Sequence, residues 1–223
     1  MSKLYIIPSP IGNLKDITLR GIEVLNNVDL ILAEDTRVTL KLLNQYKIKN
    51  KLSSYQNYNE HKKLKSIIEK LKSGIRIALI SDAGTPGISD PGFLLFRECL
   101  KNKIKIECLP GPTSIIPALI ESGFPCERFV FEGFLPLKKG KISRIKSWIE
   151  TPLTIILFES PHRLIKTLDL MKLYLQNDRE ISISREISKK YHESIRGNIE
   201  ELRNHFSINK PKGEFVIVIK SNK

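Results

Sequence analysis

The stretch "SDAGTPGISDPG" at 81–92 follows directly on the apolar run "IRIALI" at 75–80. The run predicts a buried strand, and the twelve residues after it contain three glycines and two prolines. Glycines after a strand let the backbone approach a ligand without an intervening Cβ. The spacing matches neither the dinucleotide-binding fingerprint nor the P-loop. We therefore interpret this stretch as a ligand-binding loop of another kind.

Strand, loop and helix patterns alternate along the whole chain, which predicts an α/β protein. We expect two domains, 1–122 and 123–223, because "SGFPCERF" at 122–129 interrupts the pattern. Each should hold a mixed or largely parallel sheet flanked by helices, with a ligand cleft between the domains. Ligands bind at the carboxyl ends of strands in such sheets. Loops 8–16, 82–92 and 110–114 all follow predicted strands.

Two helix starts are predicted from capping residues. Asp16 precedes apolar residues at helical spacing and is expected to cap the first helix. Asp90 and Pro91 have the residue types of an N-cap and a first helical position. The end of the stretch at 81–92 therefore has a structural explanation beside the ligand-binding one.

The motif "AEDTR" at 33–37 places two carboxylates, a hydroxyl and a guanidinium at the end of a predicted strand. Such a group suits acid–base chemistry or anion binding. A structural explanation is also open, in which Asp35 or Thr36 starts the next helix and Glu34 pairs with Arg37. The residues alone do not decide between the two.

Other features narrow the class of protein. The four histidines are scattered, so we expect no metal site, and no Ser-His-Asp set or nucleophile elbow is visible. Three cysteines without CxxC spacing indicate ordinary thiols in a reducing compartment. No apolar run has the length of a membrane span, and the start of the chain does not resemble a signal peptide. We expect a cytoplasmic protein.

The net charge of +13 favours a polyanionic partner. Residues 36–59 and 138–146 each hold five basic side chains and no acidic one, and the first segment also carries tyrosines. Cations that track phosphates, beside aromatic rings that stack on bases, suit single-stranded or looped RNA. Solvated lysine-rich faces, in a chain whose composition suggests A·T-rich codons, are the alternative.

Seven motifs occur in order: "PIGNLKDITLR", "AEDTR", "SDAGTPGISDPG", "LPGPTS", "FEGFLP", "ESPHR" and "PKGEFVIVI". Over essentially the whole chain they resemble the ribosomal RNA small subunit methyltransferase I family, the 16S rRNA (cytidine-2′-O)-methyltransferases of the tetrapyrrole methylase superfamily. The resemblance implies a homodimer that uses S-adenosylmethionine. It also implies methylation of the ribose 2′-hydroxyl of cytidine 1402, in the decoding centre of the small ribosomal subunit. Phe158 stands where the family often has tyrosine, which argues against that hydroxyl as an essential acid or base.

The resemblance, taken with the loops, gives a set of expected site residues. Those expected to bind the methyl donor are Pro8, Asp82, Ala83, Gly84, Thr85, Gly87, Pro110, Gly111, Pro112, Thr113, Phe158 and Glu159. Those expected to contact RNA are Asn13, Arg37, Lys138, Lys139, His162 and Arg163. Those expected to take part in catalysis are Glu34, Asp35 and Arg37.

A 2′-hydroxyl becomes a good nucleophile as its proton leaves, so a nearby base helps. The sequence leaves the candidates unranked: Glu34, Asp35, Asp82 and Glu159. Two other functions stay open. One is a methylase of a small tetrapyrrole, and the other is a non-enzymatic RNA-binding assembly factor.

Overall fold

The structure is a computed structural model that describes residues 3–137, 139–175 and 179–222. The chain divides into two compact units, Met1–Thr113 and Ser114–Lys223. Each unit contains one five-stranded sheet. The α/β class with a parallel sheet and a mixed sheet, both flanked by helices, is confirmed.

The first unit is a parallel sheet whose strands alternate with helices. In chain order its elements are β1 (Lys3–Ile7), α1 (Leu19–Asn27), β2 (Leu30–Ala33), α2 (Thr36–Gln45), β3 (Leu52–Ser54), α3 (Glu60–Lys72), β4 (Ile77–Ile80), α4 (Phe93–Lys101) and β5 (Lys105–Cys108). The strand order is β3-β2-β4-β1-β5, and all four pairings are parallel. Strand β3 was not predicted, because it is three residues long and two of them are serines.

Strand β4 is buried on both faces of this sheet. Ile77 and Leu79 pack into one apolar cluster with residues of α3 and α4. Ala78 and Ile80 pack into a second cluster with residues of α1 and α2. Alternate side chains of a strand point to opposite faces, so an uninterrupted apolar run is what a central parallel strand requires. Because β4 is the buried central strand, the loop at 81–92 begins at the middle of the edge formed by the carboxyl ends of the strands.

The second unit is a mixed sheet. Its elements are α5 (Ile115–Ser122), β6 (Phe129–Phe134), α6 (Lys141–Lys146), β7 (Thr154–Glu159), α7 (Leu164–Tyr174), β8 (Glu180–Arg185), β9 (Glu193–Asn198), α8 (Ile199–Ile208) and β10 (Phe215–Ile219). The order is β6-β7-β10-β8-β9. Only β6 and β7 pair in parallel, and the other three pairings are antiparallel.

Helix α5 belongs to the second unit, although it lies within 1–122, the range expected for the first domain. The helix packs against β8, β9 and β10. Arg196 of β9 donates from Nε to the carbonyl oxygens of Glu121 (2.8 Å) and Ser122 (3.0 Å) at its end. The two units therefore meet at 113/114 instead of 122/123. Gly123, which lies in the stretch expected to separate the domains, ends the helix in a left-handed conformation (φ +70°).

Both predicted N-caps are wrong. Thr18 caps α1, since its hydroxyl accepts from the Gly21 N–H at 3.0 Å, and Asp16 lies in a short 3₁₀ turn before it. Helix α4 begins at Phe93 after Gly92, which has no side chain to cap with. Asp90 instead precedes the cap position by two residues, where burial raises its pKa and an interaction with the Ser81 side chain lowers it.

Candidate functional site

Four loops meet at the carboxyl edge of the first sheet. Strands β2, β4, β1 and β5 are consecutive neighbours, so the loops that follow them emerge side by side. The Ser9 N–H donates to the Gly84 carbonyl at 2.8 Å, and the Gly84 N–H donates back at 3.0 Å. The Ser9 hydroxyl also donates to the Ser81 carbonyl at 2.8 Å. These bonds join the loop after β1 to the loop after β4.

The loop after β5 joins the same cluster through two glycines. A Cβ on Gly111 would lie 2.7 Å from the Pro8 Cβ, so only glycine lets these loops approach so closely. Gly84 has φ +74°, and a Cβ there would meet only Ile11 at 3.7 Å and the Pro112 carbonyl at 3.9 Å. The structure thus brings together four of the residues expected to bind the donor.

The remaining first-unit residues expected at the donor lie in the same loops. Ala83 and Pro110 are exposed, while Thr85 and Thr113 are half-buried. Gly87 has a different neighbour, because a Cβ there would fall on the ring of Phe96. Close packing against α4 is therefore sufficient to explain why a glycine is required at position 87.

Reciprocal hydrogen bonds join the ends of β2 and β4. The Asp35 N–H donates to Asp82 Oδ1 at 2.9 Å, and the Asp82 N–H donates to Glu34 Oε2 at 3.3 Å. Gln56, which follows β3, donates from Nε2 to the Glu34 carbonyl at 2.7 Å. Each carboxylate is thus placed by backbone from a neighbouring strand.

The expected pair of Glu34 with Arg37 is wrong, because Asp35 is the partner. Arg37 Nη2 lies 2.6 Å from Asp35 Oδ2, and its backbone N–H donates to Asp35 Oδ1 at 2.8 Å. Asp35 is also the N-cap of α2, as one of the structural alternatives predicted. Hydrogen bonds from Arg37 lower the pKa of Asp35 to about 2. The Arg37 side chain is 87% exposed, so its outer face is open to solvent.

Three other carboxyl groups at this edge have raised pKa values. Burial raises the pKa of Glu34 and Asp82, and neighbouring carboxylates raise each further. Burial, then the charges of Glu34 and Asp82, raise the pKa of Asp90 to about 7. Raised values mean that the negative charge here is not fully compensated, which favours a cationic ligand.

Sequence reasoning missed Asp90, Ser9, Ser81 and Gln56. Asp90 was assigned to a cap because Pro91 follows it. The serines and the glutamine carry no motif of their own, and their roles depend on strands that become neighbours only in the sheet.

The second unit places Phe158 and Glu159 at the end of β7. The Phe158 ring packs against the rings of Phe131 and Phe134, with centroids 5.0 and 5.4 Å away. Glu159 is 1% exposed, and its carboxylate accepts from the Ser160 N–H at 2.9 Å and from the Thr167 hydroxyl at 2.6 Å. The side chain of Glu159 is thus buried among protein partners. Its contact with a methyl donor stays a prediction.

The residues expected to contact RNA lie in both units. Asn13 is exposed, and its side-chain oxygen accepts from the Lys15 N–H at 3.1 Å. Lys139 and His162 are exposed. Arg163 is 20% exposed and forms an ion pair with Glu159. Lys138 lies outside the described residues.

Neither a metal centre nor a membrane-spanning helix is found among the described residues. They contain no group of three or more His, Cys, Asp and Glu side chains arranged to hold a metal ion. No helix among them is both long enough and apolar enough for a membrane span.

Comparison with known proteins defines the class. Residues 3–203 match the family model of Tetrapyrrole (Corrin/Porphyrin) Methylases. Among solved structures, diphthine synthase aligns with a TM-score of 0.78 at 15% identity, covering 100% of this chain and 91% of that one. A uroporphyrin-III-C-methyltransferase from Thermus thermophilus aligns with a TM-score of 0.66 at 18% identity, covering 98% and 94%. These structures share the fold, and the chain is a methyltransferase of the tetrapyrrole methylase class.

Curated relatives give a narrower assignment. A protein of Thermotoga maritima named ribosomal RNA small subunit methyltransferase I is 46% identical over 98% of both chains. The protein of that name from Escherichia coli O157:H7 is 44% identical over 99% of this chain and 78% of its own. The chain belongs to the ribosomal RNA small subunit methyltransferase I family.

Proposed function

We propose that the chain transfers a methyl group from S-adenosylmethionine to the ribose 2′-hydroxyl of the decoding-centre cytidine in 16S rRNA of the small subunit. The observation that carries the proposal is the 46% identity, over 98% of both chains, to a protein named ribosomal RNA small subunit methyltransferase I. The net charge of +13 supports an RNA substrate. The family resemblance also supports a homodimer that works in the cytoplasm.

The edge of the first sheet fits the methyl donor. S-adenosylmethionine supplies a methyl group bound to a positively charged sulfur. The loops at Gly84 and Gly111 carry little side-chain bulk, which leaves room for a ligand close to the backbone. The uncompensated charge of Glu34, Asp82 and Asp90 suits a cation. Phe158 and Glu159 stay predictions for the rest of the donor site.

The chain's own contribution to the reaction is to position the hydroxyl and to accept its proton. Asp35 is a poor candidate for the base because Arg37 holds its pKa at about 2. Asp90 is a better one, since a base whose pKa is near the working pH accepts a proton most effectively. Glu34 and Asp82 follow, with pKa values raised in the same direction. Arg37, exposed beside them, is suited to hold a phosphate of the RNA.

The direct test uses tritiated S-adenosylmethionine and small subunits from a strain that lacks the methyl group. We expect label on 16S rRNA at one alkali-resistant ribose. Label that enters a tetrapyrrole instead would move the protein to the other branch of its class. RNA binding without transfer to any acceptor would favour a non-enzymatic assembly factor.

Two substitutions test the site itself. Gly84→Val puts a β-branched side chain at φ +74° and should abolish donor binding in calorimetry. A folded Gly84→Val protein with normal donor affinity would contradict the placement of the donor at this loop. Asp90→Asn should lower the rate constant of methyl transfer by a larger factor than it lowers donor affinity, because Glu34 and Asp82 still supply negative charge. If Asp90→Asn and Glu34→Gln both turn over at the wild-type rate, neither carboxylate is the base.

A further inference from the structure

The buried Glu159 carboxylate orients the Lys141 side chain through the hydroxyl group of Thr167. Thr167, in α7, is fully buried, and its hydroxyl donates to Glu159 Oε2 at 2.6 Å. The same hydroxyl oxygen accepts from Lys141 Nζ at 2.8 Å. The chain of bonds from Lys141 to Thr167 to Glu159 therefore fixes where the ammonium group of α6 lies.

The same carboxylate holds an arginine. Arg163 Nε lies 3.2 Å from Glu159 Oε1, and Arg163 Nη2 donates to the Leu135 carbonyl at 2.6 Å. With two bonded groups, the guanidinium is fixed in direction while a fifth of the side chain remains exposed. One buried acid thus orients two cations from different parts of the second unit.

Positive charge collects at the start of α7, where Glu159 is the acidic partner of Arg163. Arg163 is the N-cap of α7 and Lys166 lies in its first turn, which has no acidic residue although all of it is described. A helix N-terminus carries partial positive charge and disfavours cations. Burial lowers the pKa of Lys141, the charge of Glu159 raises it, and the charges of Arg163 and Lys166 lower it by smaller amounts. An anion bound here would relieve both conflicts.

We propose that Lys141 and Arg163, aligned by Glu159 and Thr167, form a binding site for one backbone phosphate of the RNA substrate. We name this group of four residues the phosphate clasp. The proposal rests on the proposed function, because it takes the anion from the RNA. Fixed guanidinium and ammonium donors are the groups that bind phosphate oxygens. Lys139 and His162, each within two residues of a member of the clasp in sequence, are also exposed.

An oriented phosphate site predicts an effect that binding through net surface charge alone does not. Thr167→Val leaves the net charge unchanged but removes the hydroxyl that orients Lys141. We expect it to weaken binding of a 16S rRNA fragment about 3- to 10-fold, and Thr167→Ser to restore it. Lys141→Met should weaken binding about tenfold and reduce the slope of log affinity against log salt by about 0.7–0.9, the value for one phosphate contact.

Lys172→Met is the matched control, because it makes the same chemical change at an exposed position of α7 that is paired with Glu200. It should change RNA affinity less than twofold. Circular dichroism and thermal unfolding should show that all variants fold. The clasp is refuted if Thr167→Val binds like the wild type, or if Lys141→Met resembles Lys172→Met.

Two further measurements separate the clasp from the proposed function and from a donor site. A wild-type protein that methylates small subunits while the clasp variants bind RNA normally would overturn only the clasp. A wild-type protein that neither binds nor methylates RNA would overturn the proposed function. If Thr167→Val lowers affinity for S-adenosylmethionine and leaves RNA affinity intact, the anion held here is the donor carboxylate, and the RNA proposal is wrong.

Discussion

Asp90→Asn should make the protein more stable than the wild type at alkaline pH and reduce the pH dependence of its stability. Burial raises the pKa of Asp90 from 3.8 to about 7 in the folded protein. The folded state therefore keeps a proton that the unfolded chain releases above pH 4. Its contribution to stability is fully present below pH 4 and is lost as the pH rises through 7.

The size of the effect follows from the shift. Between pH 5 and pH 8 a pKa change from 3.8 to about 7 corresponds to a loss of about 2.6 kcal/mol, since one pKa unit is worth about 1.4 kcal/mol. Asp90 is only partly buried, so solvent screening reduces this to about 1 kcal/mol. Asparagine has no charge to desolvate and should not show this loss.

Urea unfolding at pH 5 and pH 8 measures the effect for the wild type, for Asp90→Asn and for Asp169→Asn. The last makes the same chemical change at an exposed position that pairs with Arg203. We expect the stability of Asp90→Asn relative to the wild type to rise by about 1 kcal/mol from pH 5 to pH 8, and Asp169→Asn to show no such rise. Equal pH dependence in the wild type and Asp90→Asn would refute the burial argument for this carboxyl group.

Three further substitutions test the packing of the loops and of the second unit. Gly111→Ala brings a Cβ to 2.7 Å from the Pro8 Cβ, so donor affinity in calorimetry should fall about tenfold; unchanged affinity would contradict the close approach of these loops. Ile217→Ala removes a side chain with no exposed surface and should lower the free energy of unfolding in urea by about 2–5 kcal/mol. A loss below ~1 kcal/mol would mean that the core is looser than the structure has it. Asn198→Ala removes the capping box of α8 and should lower the free energy of unfolding by about 1 kcal/mol in the same assay. An unchanged free energy of unfolding would mean that Glu201 alone stabilises the start of the helix.

Periodicity was a reliable guide to most elements of this fold. Strand β4 is apolar throughout, and a strand buried on both faces of a parallel sheet needs that pattern. Element ends were less predictable, since Asp16 and Thr18 are both good capping residues and only one has the geometry. Strand β3 has too few apolar residues to show a period, and its pairing with β2 is what makes it a strand.

The sequence predicted which loops form the site, but it did not predict which side chains contact each other there. Glycine and proline after strands indicated the loops at Gly84 and Gly111, because glycine permits unusual backbone angles and proline fixes φ, and both effects are local. The partner of Arg37 was assigned to Glu34, and two adjacent carboxylates are hard to tell apart from sequence. From sequence, Asp90 had only the local interpretation of a helix cap before Pro91. Its raised pKa could not be predicted, because it comes from burial and from the charges of Glu34 and Asp82, which only the folded chain brings near it.

The sequence by itself determined the α/β alternation, the basic charge and the loops that carry little side-chain bulk. Each of these features depends on the residue types present or on residues close together in sequence, so the sequence pattern is enough to predict it. Tertiary structure alone decided that α5 joins the second unit, that Asp35 bonds to Asp82 across 47 positions, and that one buried Glu159 orients Lys141 and Arg163. Strand order and burial bring such groups together, and both arise only when the sheets form.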